Sequence, residues 1–212
     1  MRRAFLAAFL LAPMMAGCAA QTGRGGGASV TVEPVEAWRE AADAGDAERI
    51  DELPAAWARA IQRIPVRSRS AVTAEGALLT PDAALDHPEL SPGSYSCRVL
   101  RLEANRLRSF PANFCYVQSG EGNVLTLAKQ TGSELPAGLL YPSADRRYVF
   151  LGARQQKPGE TALTYGADRE RDVAGVVERV GSFRWRLVLP ERDGRRLDVL
   201  ELTPVPVERQ PG

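Results

Sequence analysis

The chain has a single histidine, His87, in 212 residues, and Lys129 and Lys157 are its only lysines among 27 basic side chains. One histidine cannot build a histidine-based metal cluster. Between Asp86 and Pro88 it reads as a solvated loop residue rather than a lone base. No G-x-S-x-G elbow, Walker-type phosphate loop or dinucleotide glycine pattern occurs, so the common motifs of acyl transfer and nucleotide chemistry are missing. The 27 basic residues face 26 acidic ones, which argues against nucleic-acid binding, since that wants a concentrated basic surface. The preponderance of arginine over lysine fits a chain rich in Ala, Arg and Gly and reads as composition. None of these features calls for a metal, a cofactor or an enzyme.

What is present begins with an export signal. Arg2 and Arg3 precede an apolar run from Ala4 to about Met15. That run is shorter than the roughly 20 residues a membrane span requires and has the length of a signal-peptide core. It closes on Met15-Ala16-Gly17-Cys18-Ala19, which resembles the lipobox of bacterial lipoproteins, with Met15 where Leu is usual. The resemblance implies that Cys18 carries a diacylglycerol, so that residues 1–17 are removed and the membrane is one partner. The rival reading is ordinary cleavage after Ala20. Ala19 is not the aspartate that favours inner-membrane retention, which points to an outer-membrane lipoprotein facing the periplasm. Residues 18–32 include Gly25-Gly26-Gly27 and read as a flexible tether with a reach of roughly 20 Å.

With Cys18 set aside as the anchor, Cys97 and Cys115 form an even pair in an oxidising compartment. They are expected as one disulfide, with two buried thiols as the alternative. Their spacing is not Cys-X-X-Cys, which speaks against a redox role.

Residues 33–70 read as helical. Glu33-Pro34 opens a first turn, and Asp46 is the expected N-cap of a second helix. There Ile50, Leu53, Trp57, Ile61 and Ile64 recur at three- and four-residue steps. Pro54 splits that helix or starts a new one. Both signs of charge on the polar face favour core packing over a membrane surface. Residues 71–92, broken by Pro81, Pro88 and Pro92, read as an irregular connector with one helical turn at Asp82 to Leu85.

From residue 93 to 205 the pattern is β. Expected strands are Tyr95–Glu103, Asn113–Gln118, Val124–Lys129, Leu139–Tyr141, Arg147–Gly152, Thr161–Tyr165, Val173–Val180, Phe183–Leu189 and Arg196–Thr203. Of these, Val173–Val180 fits helix or strand on periodicity, and its strand-rich context with Gly181-Ser182 favours strand. Ser119-Gly120-Glu121-Gly122 is a hairpin signal. The expected fold is mainly β with N-terminal helices (α+β), a small antiparallel up-and-down barrel of lipocalin-like form. A two-sheet sandwich is the alternative. Residues 206–212 read as a disordered tail.

One polar constellation stands out, Tyr165 to Asp172. If extended, its carboxylates at alternate positions, Asp168, Glu170 and Asp172, would share one face and could hold Ca²⁺ or act as an acid/base pair. Tyr165, Asp168, Arg171 and Asp172, with Trp185, are the candidate ligand or ion-pair cluster. The interleaved Arg169 and Arg171 instead favour ion pairing over a metal. Trp185, in Phe183-Arg184-Trp185-Arg186, is core filling or, in a hollow barrel, part of a ligand cavity.

Several stretches together resemble a family of bacterial envelope proteins catalogued only as domain of unknown function 4893. They are Glu75-Gly76-Ala77-Leu78-Leu79 with Pro81 to Leu85, Gly93-Ser94-Tyr95-Ser96-Cys97-Arg98, and Lys129-Gln130-Thr131-Gly132-Ser133. Tyr165-Gly166 through Asp172, Arg184 to Val188 and Leu197 to Leu202 complete the set. The likeness spans Trp38 to Pro204 and implies a coherent exported domain, with no activity attached. More loosely, Tyr95-Ser96-Cys97 on an anchored strand domain is similar to membrane-bound lysozyme inhibitors, without their inhibitory loop. The functional expectation is a non-enzymatic envelope protein binding a small apolar ligand or lipid in its barrel. The alternative is a protein-interaction module, such as an assembly factor or a hydrolase inhibitor. Mass spectrometry of the membrane-extracted protein should find a diacylglyceryl-modified Cys18 as the first residue; an unmodified N-terminus at Gln21 would contradict the anchor.

Overall fold

The computed structural model describes residues 36–120, 124–143, 146–161 and 164–206. The expected signal, Cys18, the tether and the tail after Pro206 lie outside the described residues. The helical region comprises α1 (Ala37–Ala41), α2 (Ala44–Asp51), α3 (Leu53–Gln62) and α4 (Arg69–Ala74). Three 3-10 turns follow or interleave, Val66–Ser68, Gly76–Leu78 and Pro81–Ala83. Pro54 does start a helix, sitting in the first turn of α3, where a missing N–H costs nothing. The N-cap of α2 is Asp43 rather than Asp46; its carboxylate accepts the Gly45 N–H at 3.0 Å. Asp46 lies inside the helix and is buried. Helical structure also runs past residue 70, because Val72, Leu78 and Leu79 find an apolar wall to pack on.

Nine antiparallel strands follow: β1 (Gly93–Glu103), β2 (Arg106–Ser109), β3 (Asn113–Ser119), β4 (Leu125–Lys129), β5 (Leu135–Ser143), β6 (Arg147–Gln155), β7 (Asp172–Gly181), β8 (Arg184–Pro190) and β9 (Arg196–Pro204). From β3 to β9 each pairs with the next, β3 pairs with β1, and β9 returns to β1. Eight strands therefore close into an up-and-down barrel, and the sandwich alternative is excluded. β2 is an outer arm on β1 and was not anticipated. Its Arg106-Leu107-Arg108-Ser109 has no buried residue, so no alternation marks it. The expected strand at Thr161–Tyr165 is not formed at Tyr165, which lies in a turn and docks on α2.

Closure gives every strand an inner and an outer face. Inside lie Tyr95, Cys97, Cys115, Val117, Leu127, Leu140, Phe150, Val177, Trp185, Leu187, Leu200 and Leu202. The Cys97–Cys115 disulfide is formed, with Cα atoms 5.8 Å apart. In the ladder Tyr95 faces Cys115 and Cys97 faces Asn113, so the bridge runs diagonally between β1 and β3 inside the barrel. A second core lies outside the wall. There Trp38, Ile50, Trp57 and Leu78 pack on Val149, Leu151, Val176, Val188 and Val199. Walls covered by the helices are largely apolar on both faces, which is why Val149–Leu151, Val173–Val177, Leu187–Leu189 and Val199–Leu200 are consecutive apolar runs. By contrast β3 alternates buried and exposed positions, and Phe114, Tyr116 and Leu139 remain exposed on the uncovered side.

Gly138 faces Gly152 across β5 and β6, and Gly175 lies on β7 facing Phe150. A methyl group at any of the three would run into the carbonyl of the neighbouring strand. These glycines let the sheet fold tightly at this corner.

The fully buried Arg186, on the outer face of β8, holds the helical cap to the barrel. It donates to the carbonyls of Ala77, Thr80 and Pro81 at 2.7 Å each and pairs with Glu178 at 2.7 Å. Its guanidinium also stacks 4.4 Å from the Trp57 ring. Arg186→Ala would strand Glu178 and three carbonyls, so a loss of about 3–5 kcal/mol in urea unfolding is expected. A loss below about 1 kcal/mol would show that the cap is held by apolar packing alone.

Candidate functional site

The two ends of the barrel differ. At one end the connector crosses the opening. Leu90 is buried against the inner core, the Trp185 indole N–H donates to the Pro88 carbonyl at 3.0 Å, and the Tyr95 hydroxyl donates to the Ser91 carbonyl at 2.7 Å. Tyr95 and Trp185 meet edge to face, 6.1 Å between centroids. Burial pushes the Tyr95 hydroxyl up to about 12. Arg179 donates to the Asp86 carbonyl at 2.8 Å, and Leu85 bridges to Arg179, so the same segment is fixed on the rim. His87 sits exposed on this strap. This end is sealed, and Trp185 is part of the seal.

At the other end a cavity of about 280 Å³ opens into the barrel. Its apolar wall includes the inward residues Val99, Pro136, Leu189 and Leu200, with Phe110 at the rim. Its charged lining is Arg101, Lys129, Arg154, Glu134 and Asp198. Parity explains these positions. Arg101 follows Tyr95, Cys97 and Val99 on the inner face of β1, and Asp198 is its partner on β9. Lys129 follows Leu125 and Leu127 on β4 and faces Cys115. The Gln130–Glu134 loop is pinned to β3. The Thr131 hydroxyl oxygen accepts the Phe114 N–H at 2.9 Å, and Gly132, at φ 82°, abuts the Asn113 side chain where no Cβ would fit.

The carboxylates at this mouth are already matched. Arg101 grips Asp198 through two nitrogens at 2.8 Å each and reaches Glu134 at 3.0 Å. Arg196 pairs with Glu134 at 3.0 Å, and Arg154 pairs with Glu191 at 3.0 Å. Lys129 is different. Its side chain is buried, its ammonium donates to the Ser133 carbonyl, and no carboxylate among the described residues pairs with it. Burial holds Lys129 below the ordinary lysine value, with Glu134 only partly opposing the shift. Burial likewise raises Asp198 despite Arg101, whereas Arg196 and Arg101 overcome the burial of Glu134 and keep it low.

The residues singled out around Tyr165 do not converge on this cavity. The Tyr165 hydroxyl donates to the Asp46 carboxylate at 2.5 Å and accepts the Asp43 N–H at 2.9 Å. Arg171 pairs with Glu160 at 3.0 Å and donates to the Arg154 carbonyl at 2.7 Å. Asp172 is buried and accepts the Gly166 N–H at 2.9 Å. The Asp168 carbonyl accepts the N–H groups of Arg171 and Asp172 at 3.0 Å each. The segment is a turn, so its carboxylates do not share an extended face, and it fastens α2 to the barrel. Trp185 lies inside at the sealed end. Lys129 was overlooked as a site residue. The signal was there: a scarce lysine in phase with two leucines on a half-buried strand.

Among the described residues, no group of three or more His, Cys, Asp or Glu is placed to hold a metal ion. No described helix is long and apolar enough to cross a membrane. The molecule is thus a closed eight-stranded antiparallel barrel with a helical cap, one sealed end and one open, charged mouth. It belongs to the family described as Domain of unknown function (DUF4893), whose model matches residues 38–202. No curated protein and no solved structure matches the chain.

The lowered Lys129 has a consequence for stability. Between its lowered value and the ordinary value of 10.5, the unfolded chain binds more protons than the folded one. Lys129's contribution to stability therefore improves as pH rises through that window. Lys129→Met removes the buried charge and should stabilise the fold by about 1 kcal/mol at pH 7. That gain should shrink as pH approaches 10 in paired urea melts. A gain that is flat with pH, or a loss at pH 7, would contradict an unmatched buried ammonium.

Proposed function

We propose that this is a non-enzymatic envelope protein, exported and anchored through Cys18, that binds a small and mainly apolar ligand in the open half of its barrel. The observation that carries this reading is the cavity of about 280 Å³ behind the Lys129 mouth. Small-molecule sites typically measure roughly 300–1,000 Å³ and combine apolar walls with a few polar groups. This cavity, at about 280 Å³, falls just below that range. It suits one short chain or ring and not a two-chain lipid. The buried disulfide is consistent with an exported protein.

A second reading has its own observation. Phe114, Tyr116 and Leu139 are exposed on the outer wall of β3 to β5, away from the helices. A protein-interaction module would use that wall rather than the cavity.

Titration with an environment-sensitive apolar fluorophore separates the two. One molecule should bind per chain, and Leu189→Trp, which fills the cavity, should weaken binding at least about tenfold. Phe114→Ser should leave it unchanged. Binding that survives Leu189→Trp and is lost with Phe114→Ser would refute the cavity reading.

A further inference from the structure

We infer that the open mouth recognises a single-chain carboxylate amphiphile, its carboxylate beside the Lys129 ammonium and its chain against Val99, Leu189 and Leu200. This rests on the ligand-binding reading above and names the ligand class.

The argument is one of unmatched charge. A lysine ammonium has three N–H donors, and Lys129 uses one, on the Ser133 carbonyl. The nearest anions are committed elsewhere. Asp198 is gripped by Arg101, and Glu134 is shared between Arg101 and Arg196. The remaining cavity cation, Arg154, has Glu191. Lys129 is therefore the one cavity cation that, among the described residues, has no carboxylate partner, and it lines the cavity with free donors. A buried charge without a partner is costly unless something supplies one. The apolar fold gains nothing from a lysine there, since the inward phase of β4 is otherwise Leu125 and Leu127.

The count also sets the charge of the ligand. One unmatched cation matches a monoanion; a phosphate dianion would need a second free cation, and Arg101 and Arg154 are already engaged. The apolar wall beside the ammonium sets the rest. Val99, Leu189 and Leu200 line the same space, so a ligand that meets Lys129 also meets a hydrocarbon surface. The limited volume favours a short chain.

Isothermal titration of the full chain with octanoate, octanol and octyl phosphate tests this without relying on any variant. Octanoate should bind at least about tenfold tighter than octanol, the margin of a charge-assisted hydrogen bond, and octyl phosphate no tighter than octanoate. Lys129→Met should bring octanoate down to the level of octanol while octanol binding persists; Lys129→Gln serves if the Met variant does not fold. Equal binding of octanoate and octanol to the unaltered chain would overturn the carboxylate inference and leave ligand binding intact. Tighter binding of octyl phosphate would overturn the monoanion assignment. A preference for octanoate that survives both variants would remove Lys129 from the site. Binding of none of the three would overturn this inference together with the binding reading on which it rests.

Discussion

Nine residue pairs, from Tyr95–Pro204 to Glu103–Arg196, join β1 to β9 and turn an open sheet into a barrel. That closure removes the exposed edges an open eight-stranded sheet would present and leaves only the short arm β2 with a free edge. It also fixes which side chains face inward, because side chains alternate along every strand. Arg101 and Asp198 are opposite one another in this seam and both point inward. The bidentate pair they form is therefore part of the closure and part of the mouth. The disulfide reinforces the neighbouring seam, β1 to β3, from inside. Cross-linking Cys97 to Cys115 closes a loop whose entropy is worth about 3 kcal/mol in the chain-entropy account.

A barrel of eight strands has an interior that side chains can fill or that can hold one small ligand, and this one divides the two roles along its axis. The sealed half holds the large rings of Tyr95, Phe150 and Trp185, the disulfide and the inserted Leu90. The open half is lined by smaller aliphatic groups and a charged rim. Two buried cations make the contrast plain. Arg186 is fully buried but meets Glu178 and a set of backbone carbonyls, so its charge is matched and it fastens the cap. Lys129 is equally removed from water and meets a single carbonyl. The first is explained by the fold; the second is what the proposed anionic ligand accounts for.

Much of the architecture was legible in the sequence. Turn residues at regular intervals and strands of alternating character pointed to a closed antiparallel barrel, and Phe183 to Leu189 placed Trp185 inward. The apolar run of β7 was harder to assign, because the helices cover that wall and erase the alternation that marks a half-exposed strand. Val173 to Val180 was ambiguous between helix and strand for this reason. β2 escaped notice because it is four residues long and only Leu107 is partly buried. Asp43 and Asp46 could each cap α2, and the partners that draw Asp46 inward include the Tyr165 hydroxyl, more than a hundred residues away. The site was less legible than the fold. The polar run Tyr165 to Asp172 drew attention through charge density, yet its hydroxyl and arginine groups are matched by Asp43, Asp46 and Glu160 outside the run. Lys129 is conspicuous only once the parity of β4 is combined with the positions of Glu134 and Asp198, which are distant in sequence. Register, not composition, carries that information.

The central claim is that one end of the barrel is sealed and the other receives a ligand at Lys129. Methyl-detected NMR of the full chain during titration with octanoate reads both ends at once. The account predicts saturable shifts at the methyl groups of Val99, Leu189 and Leu200, with Leu90, Val117 and Leu202 unmoved. Shifts confined to the sealed end, or to Leu139 on the outer wall, would contradict it.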